Sequence, residues 1–143
     1  MCIFCDIVND RLQSNVIYRN DYITVILDKF PLAPGHTLIL SNEHYDNFLE
    51  CPEKISCEIA KMSSIVAKAV ISSVNADGAR ILTNIGKSAG QVIFHLHVHI
   101  IPSWSDPPSE YKEFEPRKEQ PLEYYETLKK VISYNIQRIL NRK

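Results

Sequence analysis

Three histidines at alternate positions, His95, His97 and His99, are the residues of this sequence best suited to chemistry near neutral pH. Successive side chains of a β-strand point to opposite faces, so this run predicts a strand with all three imidazoles on one face. Same-face positions lie about 6.5–7 Å apart along a strand, and the outer two histidines therefore do not converge on one ion. A solvent-facing polar row is the ordinary alternative, but the strict alternation of three imidazoles favours a functional site.

The thiols Cys2 and Cys5 form a CxxC pair, a spacing that suits zinc or redox chemistry. A thioredoxin-like redox motif follows a strand of a βαβ unit, and no strand precedes Cys2 in this sequence. Zinc needs two further ligands, and the candidates are His36, His44 and the histidine triplet. The residues alone do not choose among these ligands.

Three polar residues are candidates for ligand contacts. Asp28 ends an apolar run ahead of Pro31, where it either accepts hydrogen bonds from a hydroxyl-rich ligand or begins a turn. Asn84 and Gln91 bracket a glycine-containing loop, where they either bind phosphate oxygens or complete the loop itself. Both pairs of alternatives stay open at this point.

Hydrophobic periodicity predicts the elements that position these residues. Strands are predicted at Val16–Tyr18, Tyr22–Leu27, His36–Ser41, Ala79–Asn84 and Phe94–Ile101, and helices at Pro52–Val74 and Leu122–Leu140. Five of the eight prolines fall within residues 102–121, which indicates an irregular segment. The sequence therefore predicts an α+β domain over residues 1–104, with an antiparallel sheet of about five strands and one main helix. Residues 105–143 are predicted to form a proline-rich segment and a C-terminal helix that packs on this domain or on a dimer partner.

Composition excludes several classes of protein. The 143 residues include 16 basic and 17 acidic side chains, and this balance disfavours binding of nucleic acid through bulk charge. No apolar run approaches the roughly 20 residues that cross a bilayer, and the N-terminus has no signal-peptide pattern. We therefore expect a cytoplasmic protein whose cysteines are reduced.

The run His95–Ile101 resembles the histidine-triad motif, His-x-His-x-His followed by two hydrophobic residues, of the HIT superfamily. The stretches Cys2–Ile7, Asp28–His36 and Gly90–Gln91 are similar to other blocks of the family, particularly of its CxxC-containing bacterial type, and the resemblance runs to about Trp104. It implies a HIT-like fold, usually homodimeric. It also implies a hydrolase or transferase that cleaves the α-phosphate linkage of an AMP or GMP derivative through a covalent nucleotidyl-histidine. Nucleoside phosphoramidates and dinucleoside polyphosphates are the substrate types implied.

The resemblance assigns a role to each matching residue. His97 matches the nucleophile, His99 matches a histidine that hydrogen-bonds at the phosphate, and His36 belongs to a block on the phosphate side. The other matches are Asp28 at the ribose hydroxyls, Asn84 and Gln91 near the phosphates, Phe4, Ile7 and Ile26 around the base, and Cys2, Cys5, His44 and His95 as ligands of one structural zinc per chain.

Two positions depart from the family pattern. Val92 stands where many relatives have Ser or Thr, and Ser103 stands where many have Arg, so both departures remove phosphate contacts. Two alternatives to the nucleotidyl-histidine enzyme therefore remain. One is a metallohydrolase in which His97, His99 and His36 hold a catalytic zinc. The other is a nucleotide-binding module with little turnover.

Overall fold

A five-stranded antiparallel sheet forms the centre of the computed structural model, which describes residues 2–142. Its strands are β1 (Val16–Arg19), β2 (Ile23–Leu27), β3 (Thr37–Ser41), β4 (Gly78–Leu82) and β5 (His97–Ser103), in the spatial order β1-β2-β3-β5-β4. The helices are α1 (Ile3–Val8), α2 (Glu53–Val74) and α3 (Leu122–Leu140). The predicted α+β class and antiparallel sheet are confirmed. None of the helices within residues 2–142 is long and apolar enough to cross a membrane.

Different helices cover the two faces of the sheet. On one face α2 packs against β3, β4 and β5, and α3 packs against α2 and β1. On the other face α1 encloses a smaller apolar cluster made of Phe4, Ile7, Ile26, Leu38 and Leu40. Alternation along β3 produces this division, since Ile39 belongs to the core on the α2 side while its two neighbours belong to the cluster under α1.

The strand that carries the histidines begins and ends later than the alternation predicts, because β5 runs from His97 to Ser103 and His95 precedes it. Leu96 accepts a hydrogen bond from the N–H of Ser41, the last residue of β3, instead of continuing the regular ladder. Side-chain alternation persists nonetheless. Leu96 is buried in the core on the α2 side, whereas the ring of His95 lies 5.9 Å from that of Phe4 on the α1 side.

The helix α3 has the predicted bounds and packs on the chain's own α2 and β1. Its buried side chains are Tyr125, Leu128, Ile132, Asn135 and Ile136. Pro52 was expected in the first turn of the central helix, but it precedes that turn as the N-cap of α2.

Candidate functional site

A cavity of about 370 Å³ lies between α1 and the sheet, a size typical of small-molecule sites. Seven of the predicted site residues line it: Phe4, Ile7, Ile26, Asp28, Asn84, His97 and His99. Its wall is apolar near α1 and polar near β5. Sequence reasoning missed further lining residues, among them Leu38 and Ile93, although the position of Leu38 on the same face of β3 as Leu40 is readable from period-two alternation.

His97 is held in one orientation by the main chain. Its Nδ1 lies 2.7 Å from the carbonyl oxygen of His95, so Nδ1 carries the proton and donates to that oxygen. Burial lowers the pKa of His97, against smaller opposing effects of this hydrogen bond and of Asp28, and the ring is therefore neutral at pH 7. Nε2 consequently carries the available lone pair of the neutral ring, and this ring lines the cavity.

His36 lies behind His99, is 2% exposed and does not line the cavity. Its Nδ1 accepts a hydrogen bond of 3.0 Å from the N–H of Leu32, so the proton of the neutral ring is on Nε2. That Nε2 lies 3.0 Å from Nδ1 of His99 and donates to it. His99 consequently carries its own proton on Nε2, and its ring lines the cavity as a hydrogen-bond donor.

Burial dominates the titration of this histidine pair. It lowers the pKa of His36 to about 4, and the carboxylate of Asp28 offsets only part of the effect. Burial and the neighbouring His97 also lower the pKa of His99. Both rings are neutral near pH 7, as the donor assignment requires.

Asp28 combines the two roles that its sequence position left open. One carboxylate oxygen, Oδ1, accepts a hydrogen bond of 2.8 Å from the N–H of Phe30, which is the turn contact. The other, Oδ2, lies 3.5 Å from Nε2 of His36, and the side chain also lines the cavity. The turn thus holds a carboxylate with unused acceptor capacity against the cavity wall.

Gln91, like His36, is a predicted site residue that does not line the cavity. Its side chain is buried, and Oε1 accepts a hydrogen bond from the N–H of Gly86. Nε2 donates to the carbonyl oxygens of Asp46 and Ile93. Every part of the amide is therefore engaged with the main chain, and Gln91 shapes the loop between Asn84 and β5 instead of facing a phosphate.

The two departures from the family pattern lie in different places. Val92 is 86% exposed at the rim of the cavity. Ser103 ends β5 opposite Gly78, and it is not among the lining residues. Of these two positions, only Val92 alters the cavity of the chain.

The four predicted zinc ligands come together at one end of α1. Sγ of Cys2 lies 3.2 Å from Nδ1 of His95, and Sγ of Cys5 lies 3.3 Å from Nδ1 of His44 and 3.5 Å from Nδ1 of His95. All four atoms are within 4.8 Å of one another. Zinc held tetrahedrally at ordinary bond lengths separates its ligand atoms by about 3.5 Å, so the donor set fits that ion.

Other groups orient these ligands. Nε2 of His95 donates to the carbonyl oxygen of Ser41 at 2.7 Å, and Nε2 of His44 donates to Oδ1 of Asp46 at 2.9 Å. Both rings therefore turn Nδ1 toward the thiols, in the pattern by which outer hydrogen bonds hold metal ligands. Sequence reasoning missed Asp46, whose spacing of two residues from His44 is the only local signal for this contact.

The cysteines are placed by the first turn of α1. Cys2 is its N-cap and accepts a hydrogen bond of 3.3 Å from the N–H of Cys5. Burial opposes ionisation of the Cys2 thiol, but hydrogen bonds from the main chain and side chain of Cys5 and from His44 outweigh it, so the pKa of Cys2 is lowered. Burial and the neighbouring Cys2 raise the pKa of Cys5, so Cys2 is the thiol of the pair that ionises first and the better metal ligand of the two.

An antiparallel sheet that presents two members of an alternating histidine run to a partly apolar cavity defines a protein of the histidine-triad class. The HIT domain family model matches residues 9–105. An uncharacterized HIT-like protein of Saccharolobus solfataricus is 50% identical over 139 residues, which cover 97% of this chain and 100% of that protein. The chain belongs to the HIT domain family.

Solved structures agree with this assignment. A hypothetical histidine triad nucleotide-binding protein of Sulfolobus tokodaii superposes with a TM-score of 0.92 at 48% identity, over 96% of this chain and 93% of that one. A zinc-bound histidine triad family protein of Mycobacterium smegmatis gives a TM-score of 0.84 at 25% identity, over 99% and 97%. Among curated relatives, an adenylylsulfatase of Arabidopsis thaliana is 36% identical over 101 residues, 71% of this chain and 51% of that protein.

Proposed function

We propose that this chain is a nucleotidyl hydrolase or transferase that cleaves the α-phosphate linkage of a purine nucleoside phosphoramidate or dinucleoside polyphosphate through nucleotidyl-His97. The observation that carries the proposal is the hydrogen bond of 2.7 Å between Nδ1 of His97 and the carbonyl oxygen of His95, because it leaves Nε2 of a cavity-lining ring as a neutral nucleophile. The similarity to an adenylylsulfatase supports nucleotidyl chemistry.

The reaction proceeds in two displacements. Nε2 of His97 attacks the α-phosphorus, the bond to the leaving group breaks, and the leaving group departs with the electron pair and takes up a proton. Water or another acceptor then attacks the same phosphorus, the P–N bond breaks, and the acceptor loses its proton as His97 is regenerated. The N–H of His99 and the amide of Asn84 stabilise charge on the phosphate oxygens, and this is the main catalytic need of such a reaction.

The remaining cavity residues suit a nucleoside. Phe4, Ile7 and Ile26 offer an apolar wall for the base, and Asp28 offers acceptor oxygens for the ribose hydroxyls. Gln91 enters this proposal only as the residue that holds the adjacent loop.

The donor assignment disfavours the metallohydrolase alternative. Nδ1 of His36 accepts from the N–H of Leu32 and Nε2 carries the proton, so His36 has no lone pair for a metal held with His97 and His99. The nucleotide-binding module with little turnover differs from the main proposal only in rate, and the experiment below separates the two.

We also propose one structural zinc per chain, held by Cys2, Cys5, His44 and His95. The fit of the donor atoms supports it, as does the zinc in the solved Mycobacterium smegmatis relative. Four protein ligands leave no open position, so the ion supplies a tether for the N-terminal helix and no catalytic water. That helix contributes Phe4 and Ile7 to the cavity.

The proposed assembly is a homodimer formed through the edge strand β4. Beside β4, the exposed face of α2 and Ile81 line a second, largely apolar groove of about 540 Å³. A second copy related by a two-fold axis satisfies both the unpaired strand edge and the apolar groove.

A quench experiment tests the proposed reaction. Protein is mixed with adenosine 5′-phosphoramidate for milliseconds to seconds, quenched at alkaline pH and digested, and the peptide containing His97 is weighed by mass spectrometry. An adenylyl adduct on His97 that decays in acid is the expected result. Turnover without any adduct would overturn the covalent mechanism. Tight binding of AMP without turnover would identify the non-catalytic module instead.

A further inference from the structure

We propose that Tyr124 and Tyr125 of α3 are positioning residues for the nucleotide site, where they clamp the loop that carries Asp28 and His36. This inference rests on the proposed function of that loop. It gives the segment after the matched HIT domain, which ends at residue 105, a part in substrate recognition.

The clamped loop connects β2 to β3 and comprises residues 28–36, called the β2–β3 loop below. Its two ends carry the residues that matter for recognition, Asp28 at the cavity wall and His36 behind His99. The ends are joined by a hydrogen bond of 3.0 Å from the N–H of Asp28 to the carbonyl oxygen of His36. A shift of the loop therefore moves Asp28, the proposed acceptor for the ribose hydroxyls, together with His36.

Tyr125 holds the Asp28 end of the loop. Its hydroxyl donates a hydrogen bond of 2.6 Å to the carbonyl oxygen of Lys29 and accepts one of 2.9 Å from the N–H of Gln120. The residue is 5% exposed, and its hydroxyl is held between these two partners.

Tyr124 holds the His36 end. Its hydroxyl accepts a hydrogen bond of 2.9 Å from the N–H of Gly35, the residue before His36. Gly35 has a φ of +91°, a left-handed conformation that a residue with a Cβ rarely adopts. The rings of Tyr124 and Tyr125 meet edge to face with centroids 4.9 Å apart, and this contact couples the two ends of the clamp.

A third contact holds the middle of the loop. The N–H of Arg117 donates a hydrogen bond of 2.8 Å to the carbonyl oxygen of Pro31. Within residues 2–142, these three are the hydrogen bonds that tie the main chain of 29–35 to residues outside 28–37. Two of the three depend on a tyrosine hydroxyl, which a phenylalanine substitution removes with little change in packing.

Single hydroxyl deletions test the clamp in the full chain. The variants are Tyr125→Phe and Tyr124→Phe, and the matched control is Tyr134→Phe, because Tyr134 lies on the same helix but is 66% exposed. We expect Tyr125→Phe to weaken AMP binding about fivefold, since the loss of one neutral hydrogen bond corresponds to about a fivefold change in affinity. Binding of 2′-deoxy-AMP should weaken less than about twofold. Tyr124→Phe should lower kcat about fivefold with KM nearly unchanged. Tyr134→Phe should match the wild type.

A double-mutant cycle distinguishes positioning from general stability. If Tyr125 acts through Asp28, the effect of Tyr125→Phe on AMP affinity disappears in an Asp28→Ala background. Equal effects in both backgrounds, or wild-type parameters in both tyrosine variants, would overturn the clamp. The AMP affinities are equilibrium measurements, so they test the clamp even if the wild type forms no adduct, and loss of the proposed reaction is recognised separately from loss of the clamp.

Discussion

The main-chain carbonyl oxygen of His95 accepts a hydrogen bond of 2.7 Å from Nδ1 of His97. The side chain of His95 belongs to the group of proposed zinc ligands that also contains Cys2, Cys5 and His44, called the Cys/His cluster below. One residue thus connects the proposed nucleophile with the proposed metal site. The connection runs through a main-chain atom, so the cluster holds in place the backbone that orients His97.

Replacement of His97 by alanine should abolish nucleotide release while the protein stays folded. The substitution removes the group that attacks phosphorus, so the covalent intermediate does not form. Rate losses of about 10⁴-fold or more are typical when a nucleophile is removed. The measurement is release of AMP from adenosine 5′-phosphoramidate, with circular dichroism and a melting curve to establish the fold. A variant that kept most of its rate would exclude the covalent route.

The matched control for His97 is His99→Ala. It removes a donor to the phosphate and leaves the nucleophile in place, so we expect a rate loss of about 10²–10³-fold. The adenylyl adduct on His97 should still form in this variant, only more slowly.

Asp28→Ala should reveal ribose recognition. The carboxylate accepts from the Phe30 main chain with one oxygen and lines the cavity, so its charge-assisted bonds to ribose hydroxyls are lost in the variant. KM for a ribonucleotide substrate should rise much more than KM for its 2′-deoxy analogue. Equal changes for both substrates would show that Asp28 serves the turn and does not bind the ribose.

Elemental analysis of protein purified without chelator should give about one zinc per chain. Cys2→Ser and Cys5→Ser should each lose the metal and melt at a lower temperature, because the proposed ion would fix α1 over the sheet through its four ligands. Cys57→Ser is the matched control, since this thiol is exposed and outside the cluster. Chelation should lower stability before it lowers the rate of the chemical step. Absence of metal, or loss of catalysis on chelation with the fold intact, would contradict a structural zinc.

Protonation of His36 should make stability depend on pH in a definite direction. Burial lowers the pKa of the folded-state His36 from 6.5 to about 4, with Asp28 opposing it and His99, Arg80 and His97 adding to it. Between these two values the unfolded chain binds a proton that the folded chain does not. The free energy of unfolding is therefore independent of His36 protonation above about pH 6.5. It falls by about 1.4 kcal/mol per pH unit as the pH drops toward 4.

The comparison that isolates this effect is the wild type against His36→Asn, whose amide oxygen can still accept from the N–H of Leu32. The free energy of unfolding in urea, measured from pH 4.5 to 7.5, should fall less steeply in the variant. Identical slopes for the two proteins would show that His36 does not take up the proton on unfolding. Titrating groups that do not contact His36 contribute equally to both curves and cancel.

Local patterns account for most of the fold. Period-two and helical spacing predict α2, α3 and all five strands, because each element buries a regular face. The helix α1 escapes such reasoning since its six residues are too few for periodicity, and it depends on the Cys2 cap and on packing over the sheet. The start of β5 at His97 likewise depends on where β3 ends, which is a contact distant in sequence.

The site is predictable to a smaller extent. Alternation placed His97 and His99 on one face, but the proton positions depend on partners such as Leu32 and the carbonyl of His95. Gln91 turned inward because the Gly86 main chain offers it a donor, and no local rule specifies this. The contact between Tyr125 and Lys29 joins residues 96 positions apart, beyond the reach of any periodicity.

The proposed homodimer should depend on the edge strand β4. Ile81 is 51% exposed on that strand, beside the apolar groove of α2, and burial of this exposed half in an interface is worth about 1 kcal/mol per copy. Ile81→Glu places a charge in the same position and should convert the dimer to a monomer in sedimentation velocity at micromolar concentration. Leu122→Glu is the matched control, because Leu122 is 74% exposed on α3, away from the groove, and that variant should remain a dimer. A wild-type monomer would contradict the proposed dimer. An Ile81→Glu variant that stays dimeric would place the interface elsewhere.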